Sequence, residues 1–101
     1  MSTLFNTKNK AVYAGYISAA GVLSEATEGF TIEKQPTAEE GYIVSWETPI
    51  EGGYVVDDDV NFDGYLKVPT NEKLSTQCRV IMVHKGGTAI FNAVAVAVRE
   101  L

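Results

Sequence analysis

The closing segment of the chain, Thr88 to Val98, follows a tight Gly86-Gly87 turn and alternates large with small residues, not apolar with polar ones. Successive side chains of an extended strand point to opposite faces. One face would carry three valines and the other three alanines: Val94, Val96 and Val98 against Ala93, Ala95 and Ala97. Because neither face is polar, each needs a packing partner. The domain's own core can take one face, and the other predicts contact with a second copy of the chain.

Length and charge limit the classes of function. The 101 residues carry 8 basic and 13 acidic side chains, with a net charge of −5, so we expect one acidic domain. Nucleic-acid binding and adsorption to anionic membranes need clustered Lys and Arg, and are excluded on this ground. A single cysteine, Cys78, rules out an internal disulfide. Without a signal-peptide pattern or a long apolar run, we expect a soluble protein whose destination the sequence does not encode.

The hydrophobic pattern indicates about seven or eight short strands, separated by turn signals at a spacing of roughly 8–12 residues. There is no alternation of strands with helices and no internal repeat. These features predict an all-β antiparallel sandwich or barrel over residues 11–101, preceded by a polar N-terminal arm at residues 1–10. The predicted strands are 11–18, 29–34, 41–46, 53–56, 65–68, 78–85 and 88–98.

Several of these segments resemble one family. The motifs are Ala14-Gly15-Tyr16-Ile17, then Gly21, Gly29-Phe30-Thr31-Ile32 and Gly41-Tyr42-Ile43-Val44-Ser45-Trp46, followed by the closing segment. They resemble the C1q/TNF-like jelly-roll heads of phage tail fibres and related bacterial proteins. Such domains carry similar G-F-T-V and G-x-Y-x-V-x-F strands, and their last strand lines the inside of a trimer.

The resemblance implies a jelly-roll sandwich that forms a homotrimer and recognises a surface glycan or protein on behalf of a virion or another particle. Its interface would include Phe91, Ala93, Ala95 and Ala97. Two departures stand out. The family's last strand usually carries bulkier aromatic residues than these alanines, and its domains usually cap a longer stalk than the arm at residues 1–10.

Two other functions stay open beside this tail-fibre-like or C1q-like head. One is a capsid or tail accessory protein whose arm docks on a neighbouring molecule. The other is a small calcium- or carbohydrate-binding sandwich. The sequence does not identify the ligand, the oligomeric state or whether a stalk precedes the domain.

An acidic segment suggests the calcium alternative. Asp59-Val60-Asn61-Phe62-Asp63-Gly64 matches the first half of a calcium loop, D-x-N-x-D-G, and Asp57 precedes it. The ligand set would be Asp57, Asp59, Asn61 and Asp63. The second half of the motif is missing, because Thr70 stands where the bidentate Glu belongs. The competing interpretation is a solvated acidic turn that keeps strand edges soluble.

Few residues point to other chemistry. Tyr54 and Tyr65 lie beside predicted loops, where an exposed ring could stack on a sugar or anchor a partner. The competing interpretation is that both rings pack in the core or at a strand edge. Cys78 and His84 are six residues apart on one predicted strand, roughly 20 Å, so they cannot form a pair within one chain. The chain lacks P-loop, G-x-S-x-G, H-E-x-x-H and C-x-x-C motifs. We therefore expect neither catalysis nor a cofactor other than calcium.

Overall fold

The computed structural model describes residues 11–60 and 62–101, which form an all-β antiparallel sandwich. The N-terminal arm predicted at residues 1–10 lies outside the described residues. A single turn of 3-10 helix, Thr70–Glu72, interrupts the strands. The strands are β1 (Ala11–Ile17), β2 (Leu23–Ser24), β3 (Phe30–Lys34), β4 (Tyr42–Trp46), β5 (Tyr54–Val60), β6 (Gly64–Lys67), β7 (Gln77–His84), β8 (Ala89–Ile90) and β9 (Val94–Glu100).

The strands form two sheets, and every pairing is antiparallel. The first sheet has the order β2-β1-β9-β5, and the second has the order β3-β4-β7-β6, with β8 also paired to β7. The chain crosses between the sheets after β2, β4, β5 and β8. As a result, β9 at the end of the described chain lies between β1 and β5. The predicted all-β antiparallel sandwich is confirmed.

An aromatic cluster joins the two sheets in the core. The Tyr13 ring of β1 stacks against Phe30 of β3 and Trp46 of β4, with centroid distances of 6.0 and 5.9 Å. Trp46 in turn meets Tyr54 of β5 edge-on at 5.1 Å. All four rings are buried. Rings in these offset and edge-on arrangements attract each other beyond the apolar area that they bury.

The polar groups of this core anchor the loops around it. The Trp46 indole N–H donates to the Ser75 carbonyl at 2.7 Å, and the Tyr54 hydroxyl donates to the Leu74 carbonyl at 2.7 Å. The Tyr13 hydroxyl accepts a hydrogen bond from the Thr48 backbone N–H at 3.1 Å. Each polar group therefore has the partner that burial demands.

Sequence periodicity correctly placed the buried face of β4. Tyr42 and Val44 are fully buried and Trp46 is 4% exposed, as their alternation predicted. It also assigned the closing valines correctly, since Val94, Val96 and Val98 all belong to the core. In β3, Phe30 is buried and Thr31 is exposed, again as predicted.

The prediction of one continuous strand from Thr88 to Val98 is wrong. The hairpin after Gly86-Gly87 continues for only the two residues of β8, which pair with β7. The chain then leaves the second sheet and enters the first as β9. At the crossing, the Phe91 ring packs edge-on against Tyr42 at 5.4 Å, with the Lys34 ammonium 4.3 Å from its centroid. Alternation continues through the break, so the sequence pattern does not reveal it.

The acidic segment begins in a strand, although a turn was predicted there. Asp57, Asp58 and Asp59 belong to β5, where they pair with Ala97, Val96 and Ala95. Asp disfavours strands on intrinsic propensity, but the ladder with β9 overrides that preference. β5 is the last strand in the order of its sheet. Charges at such an edge discourage pairing with other chains, so these residues serve in part as protection of the edge.

Replacing Gly41 with Ala tests the close approach of β4 to β7. Gly41 has φ +68°, and an added Cβ would lie 2.1 Å from the Val80 carbonyl oxygen. Because neither the conformation nor the space suits a side chain, we expect the free energy of unfolding to fall by about 2 kcal/mol or more. Gly52→Ala is the matched control, since an added Cβ there meets nothing within 4 Å. Urea denaturation followed by Trp46 fluorescence measures both variants, and equal midpoints would contradict the geometry.

Candidate functional site

The outer face of the first sheet has small side chains at its centre. On β9, Ala95 lies between Tyr16 of β1 and Asp59 of β5, and Ala97 lies between Ala14 and Asp57. The valines that alternate with these alanines point into the core. The central strand therefore presents only methyl groups at these two positions of the outer face, while its neighbours carry larger side chains.

This arrangement makes an open concavity of about 490 Å³, which we call the alanine trough. Ala14, Ala95 and Ala97 form its floor. Tyr16 and Glu25 line it on the side of β1 and β2, and Asp57, Asp59 and Arg99 line it on the side of β5 and β9.

The walls of the alanine trough are predominantly negative. They include four acidic residues, Glu25 and Asp57 to Asp59, and one guanidinium. That guanidinium, Arg99, donates a hydrogen bond through Nε to the Asp57 carboxylate. Both partners of this ion pair are substantially exposed, so it contributes about 0–1 kcal/mol to stability. Its main effect is to hold Arg99 over one end of the trough, which leaves Asp59 and Glu25 as the acidic groups of the other end.

Asp58 differs from the other acidic residues of the trough wall, because it lies opposite Val96, on the other face of β5 from Asp57 and Asp59. Burial is the main cause that raises its pKa above 3.8, and the neighbouring Asp57 and Asp59 carboxylates raise it further. A hydrogen bond from the Val60 backbone opposes these effects. The charged form of Asp58 is therefore disfavoured in the folded state.

Exposed apolar side chains accompany the trough. Val12 and Tyr16 on β1 are each 38% exposed, and Val55 on β5 is 40% exposed. Together with the methyl floor they make this face more apolar than the solvent-facing side of an antiparallel sheet usually is.

The structure separates the four residues predicted for an oligomer interface. Ala95 and Ala97 lie on the floor of the trough. Ala93 and Phe91 belong to the crossing between β8 and β9, and Phe91 packs against the core. Ala14 completes the floor although it was not predicted. The signal that could have found it is the pairing of the first strand with the last.

The acidic residues do not converge into a visible metal site. Asp57 and Asp59 point to the outer face, whereas Asp58 lies opposite Val96, whose side chain is in the core. Asp63 forms an exposed ion pair with Lys85 at 3.7 Å. Within residues 11–60 and 62–101, no group of three or more His, Cys, Asp or Glu side chains is arranged to hold a metal ion. Asn61 lies outside the described residues, so the predicted calcium site stays a prediction.

The two predicted ligand-binding tyrosines have different environments. Tyr54 is 4% exposed and packs against Trp46. The Lys73 ammonium lies over its ring, 4.9 Å from the centroid, in a cation–π contact. Its ring is part of the core and offers no open face for stacking. Tyr65 is 55% exposed on the outer face of the second sheet, beside Val83, so a role in surface binding stays a prediction for this residue.

Cys78 and His84 lie at opposite ends of β7, as expected. The thiol is buried, and burial raises the pKa of Cys78 to about 11, with hydrogen bonding to Tyr54 and the charge of Lys73 acting in the other direction. A thiol of this kind remains protonated and unreactive at neutral pH. His84 is exposed and stacks on Phe62 at 6.4 Å.

A scan of protein-family models, a search of curated proteins and a search of solved structures each found no match to this chain. Of the helices in the part of the chain that the structure describes, none is long and apolar enough to cross a membrane. The alanine trough and the exposed apolar side chains around it are the features of the described surface that bear on function.

Replacing Asp58 with Asn tests the electrostatics beside the trough. Because the pKa of Asp58 is raised in the folded state, stability falls as the pH rises from 3.8 through that raised value, and the penalty is fully present at pH 7. Because the carboxylate loses only part of its hydration and the residue stays largely exposed, we expect the variant to gain only a few tenths of a kcal/mol, or about 1–3 °C in melting temperature, at pH 7.

At pH 3 this gain should disappear, because Asp58 is then protonated in both states. Differential scanning calorimetry at the two pH values measures the effect, with the exposed Asp63→Asn as the control that should show no gain. A loss of stability at pH 7 in Asp58→Asn would contradict the assignment.

Proposed function

We propose that this chain is a self-assembling binding or structural module whose copies associate through the outer face of the first sheet. The observation that carries the proposal is the alanine trough together with the exposed apolar residues around it. The resemblance to C1q/TNF-like heads supplies the expected stoichiometry, a homotrimer, and the expected role, which is recognition of a surface ligand on behalf of a larger particle.

The chemistry of the face supports association between protein surfaces. Small side chains on β9 allow a second molecule to approach the sheet backbone closely. Val12, Tyr16 and Val55 supply apolar area, and Tyr is among the residues that interfaces favour. Acidic groups and Arg99 at the edges supply polar contacts that orient the partner.

A non-catalytic role is part of the proposal. The chain has one histidine and one cysteine, and these lie at opposite ends of β7, with the thiol buried. The acidic groups of the trough face solvent across an open surface, not across a narrow cleft that would place them in contrasting environments.

The second candidate function is an accessory structural protein of a capsid or tail, in which the arm at residues 1–10 docks on a neighbouring molecule. The negative charge of the trough walls favours it, because this arm carries lysines and no acidic residue. Both candidates use the same face and differ in whether a further ligand is recognised. A glycan array without hits, together with co-purification with particle proteins, would favour the accessory role.

Replacing Ala95 with Glu tests the contact face. The new carboxylate would stand on the trough floor between Tyr16 and Asp59, where it blocks close approach and adds negative charge. Since Ala95 points away from the core, we expect the fold to survive and the oligomer to dissociate. Thr31→Glu, an exposed position in the second sheet, is the control that should leave assembly unchanged.

Sedimentation velocity gives the mass of each variant, and circular dichroism and Trp46 fluorescence verify its fold. The proposal fails if Ala95→Glu sediments like the unmodified chain. It also fails if the unmodified chain sediments at its monomer mass of 10.9 kDa at tens of micromolar concentration.

A further inference from the structure

We propose that residues 1–10 of one copy occupy the alanine trough of a neighbouring copy. The apolar side chains of the segment would lie on the methyl floor, and its lysines would lie beside the wall carboxylates. This inference rests on the self-assembly proposed above and identifies what fills the contact face.

The concave shape of the alanine trough means that a second copy cannot pack against its floor unless some side chains occupy the open volume. If two copies met directly through their troughs, the two alanine floors would face each other across an unfilled volume, because each concavity measures about 490 Å³. Such a gap forfeits the dispersion contacts that close packing provides. An extended segment with one or two large apolar side chains restores those contacts without a change in the sandwich.

Residues 1–10 have the composition expected of a segment that occupies the trough. The segment, Met-Ser-Thr-Leu-Phe-Asn-Thr-Lys-Asn-Lys, places Leu4 next to Phe5 and contains no Gly or Pro. It holds two of the chain's eight basic residues, Lys8 and Lys10, and none of its thirteen acidic ones. The walls that would receive it include four acidic residues and one guanidinium, so the two surfaces are complementary in charge.

The position of Ala11 favours the trough of a neighbour over that of the same chain. Ala11 pairs with Arg99, so residues 1–10 join the sheet at the Arg99 end of the trough. Asp59 pairs with Ala95, four residues further along β9 and roughly 13 Å away. A segment that reversed direction at Lys10 would keep both lysines beside the Arg99–Asp57 ion pair and away from Asp59. A segment from another copy can enter from the Asp59 end.

A spin label locates the segment directly. Ser2→Cys can be labelled selectively, because Cys78 is 1% exposed. Protein that carries the spin label but no ¹⁵N is mixed with ¹⁵N protein that carries no spin label. Only contacts between copies can then broaden the amide signals. We expect strong broadening of the amides of Ala14, Ala95 and Ala97, and none at Thr31 on the second sheet. An oligomer without this broadening overturns the inference. So does broadening that is seen only in a second sample, in which the spin label and ¹⁵N are on the same chain.

Charge reversal tests the complementarity independently. Lys8→Glu combined with Lys10→Glu should weaken association about tenfold or more, and adding Asp59→Lys should recover part of the loss. The control, Lys67→Glu with Lys85→Glu, makes the same change in net charge at exposed positions outside the trough and should weaken association much less. Equal weakening by both pairs overturns the inference.

The two proposals fail separately. Suppose that Ala95→Glu dissociates the oligomer, but the spin label broadens no trough amide and the lysine reversals do not weaken association more than the control. The contact face is then correct and the role proposed for residues 1–10 is wrong. If Ala95→Glu leaves the oligomer intact, the contact face itself is wrong.

Discussion

The fold depends on the position of β9 between β1 and β5. This ladder places three valines in the core and presents alanines to the outside. Each fully buried valine contributes about 1.5–3 kcal/mol, which is a large share of the 5–15 kcal/mol that stabilises a typical domain. Because side chains alternate along a strand, the same register that completes the core also forms the floor of the alanine trough. Stability and the proposed contact face therefore come from one strand.

The rest of the sandwich holds that ladder against the second sheet. The stacked rings of Tyr13, Phe30 and Trp46 connect the sheets, and their polar atoms bind the loops at residues 48 and 75. One edge of the first sheet is β5, where three consecutive aspartates resist further pairing. The sheet is consequently protected at this edge, and its open apolar surface is the face that β9 shares with β1.

Local pattern predicted what depends on alternation within one segment, such as the buried face of Tyr42, Val44 and Trp46. It could not predict what depends on the partner of a segment. The crossing at Phe91 leaves the alternation intact, so β8 and β9 resembled one strand, and Asp57 to Asp59 became a strand only through pairing with β9. For the site, alternation identified Ala95 and Ala97. Arg99 was missed because β9 continues past the predicted strand end at Val98, and Ala14 was missed because it joins the floor through the pairing of β1 with β9. For Tyr54 the sequence left surface binding and core packing open, because the choice depends on Trp46, which its ring meets across the sandwich.

Oxidative footprinting of two tyrosines tests the central claim most directly. Tyr16 borders the alanine trough and is 38% exposed, whereas Tyr65 lies on the outer face of the second sheet and is 55% exposed. If copies associate through the first sheet, hydroxyl-radical oxidation of Tyr16 should fall several-fold as the protein concentration rises from nanomolar to tens of micromolar, while Tyr65 stays constant. Unchanged oxidation of Tyr16 over this range, or protection of Tyr65 in its place, would contradict the account.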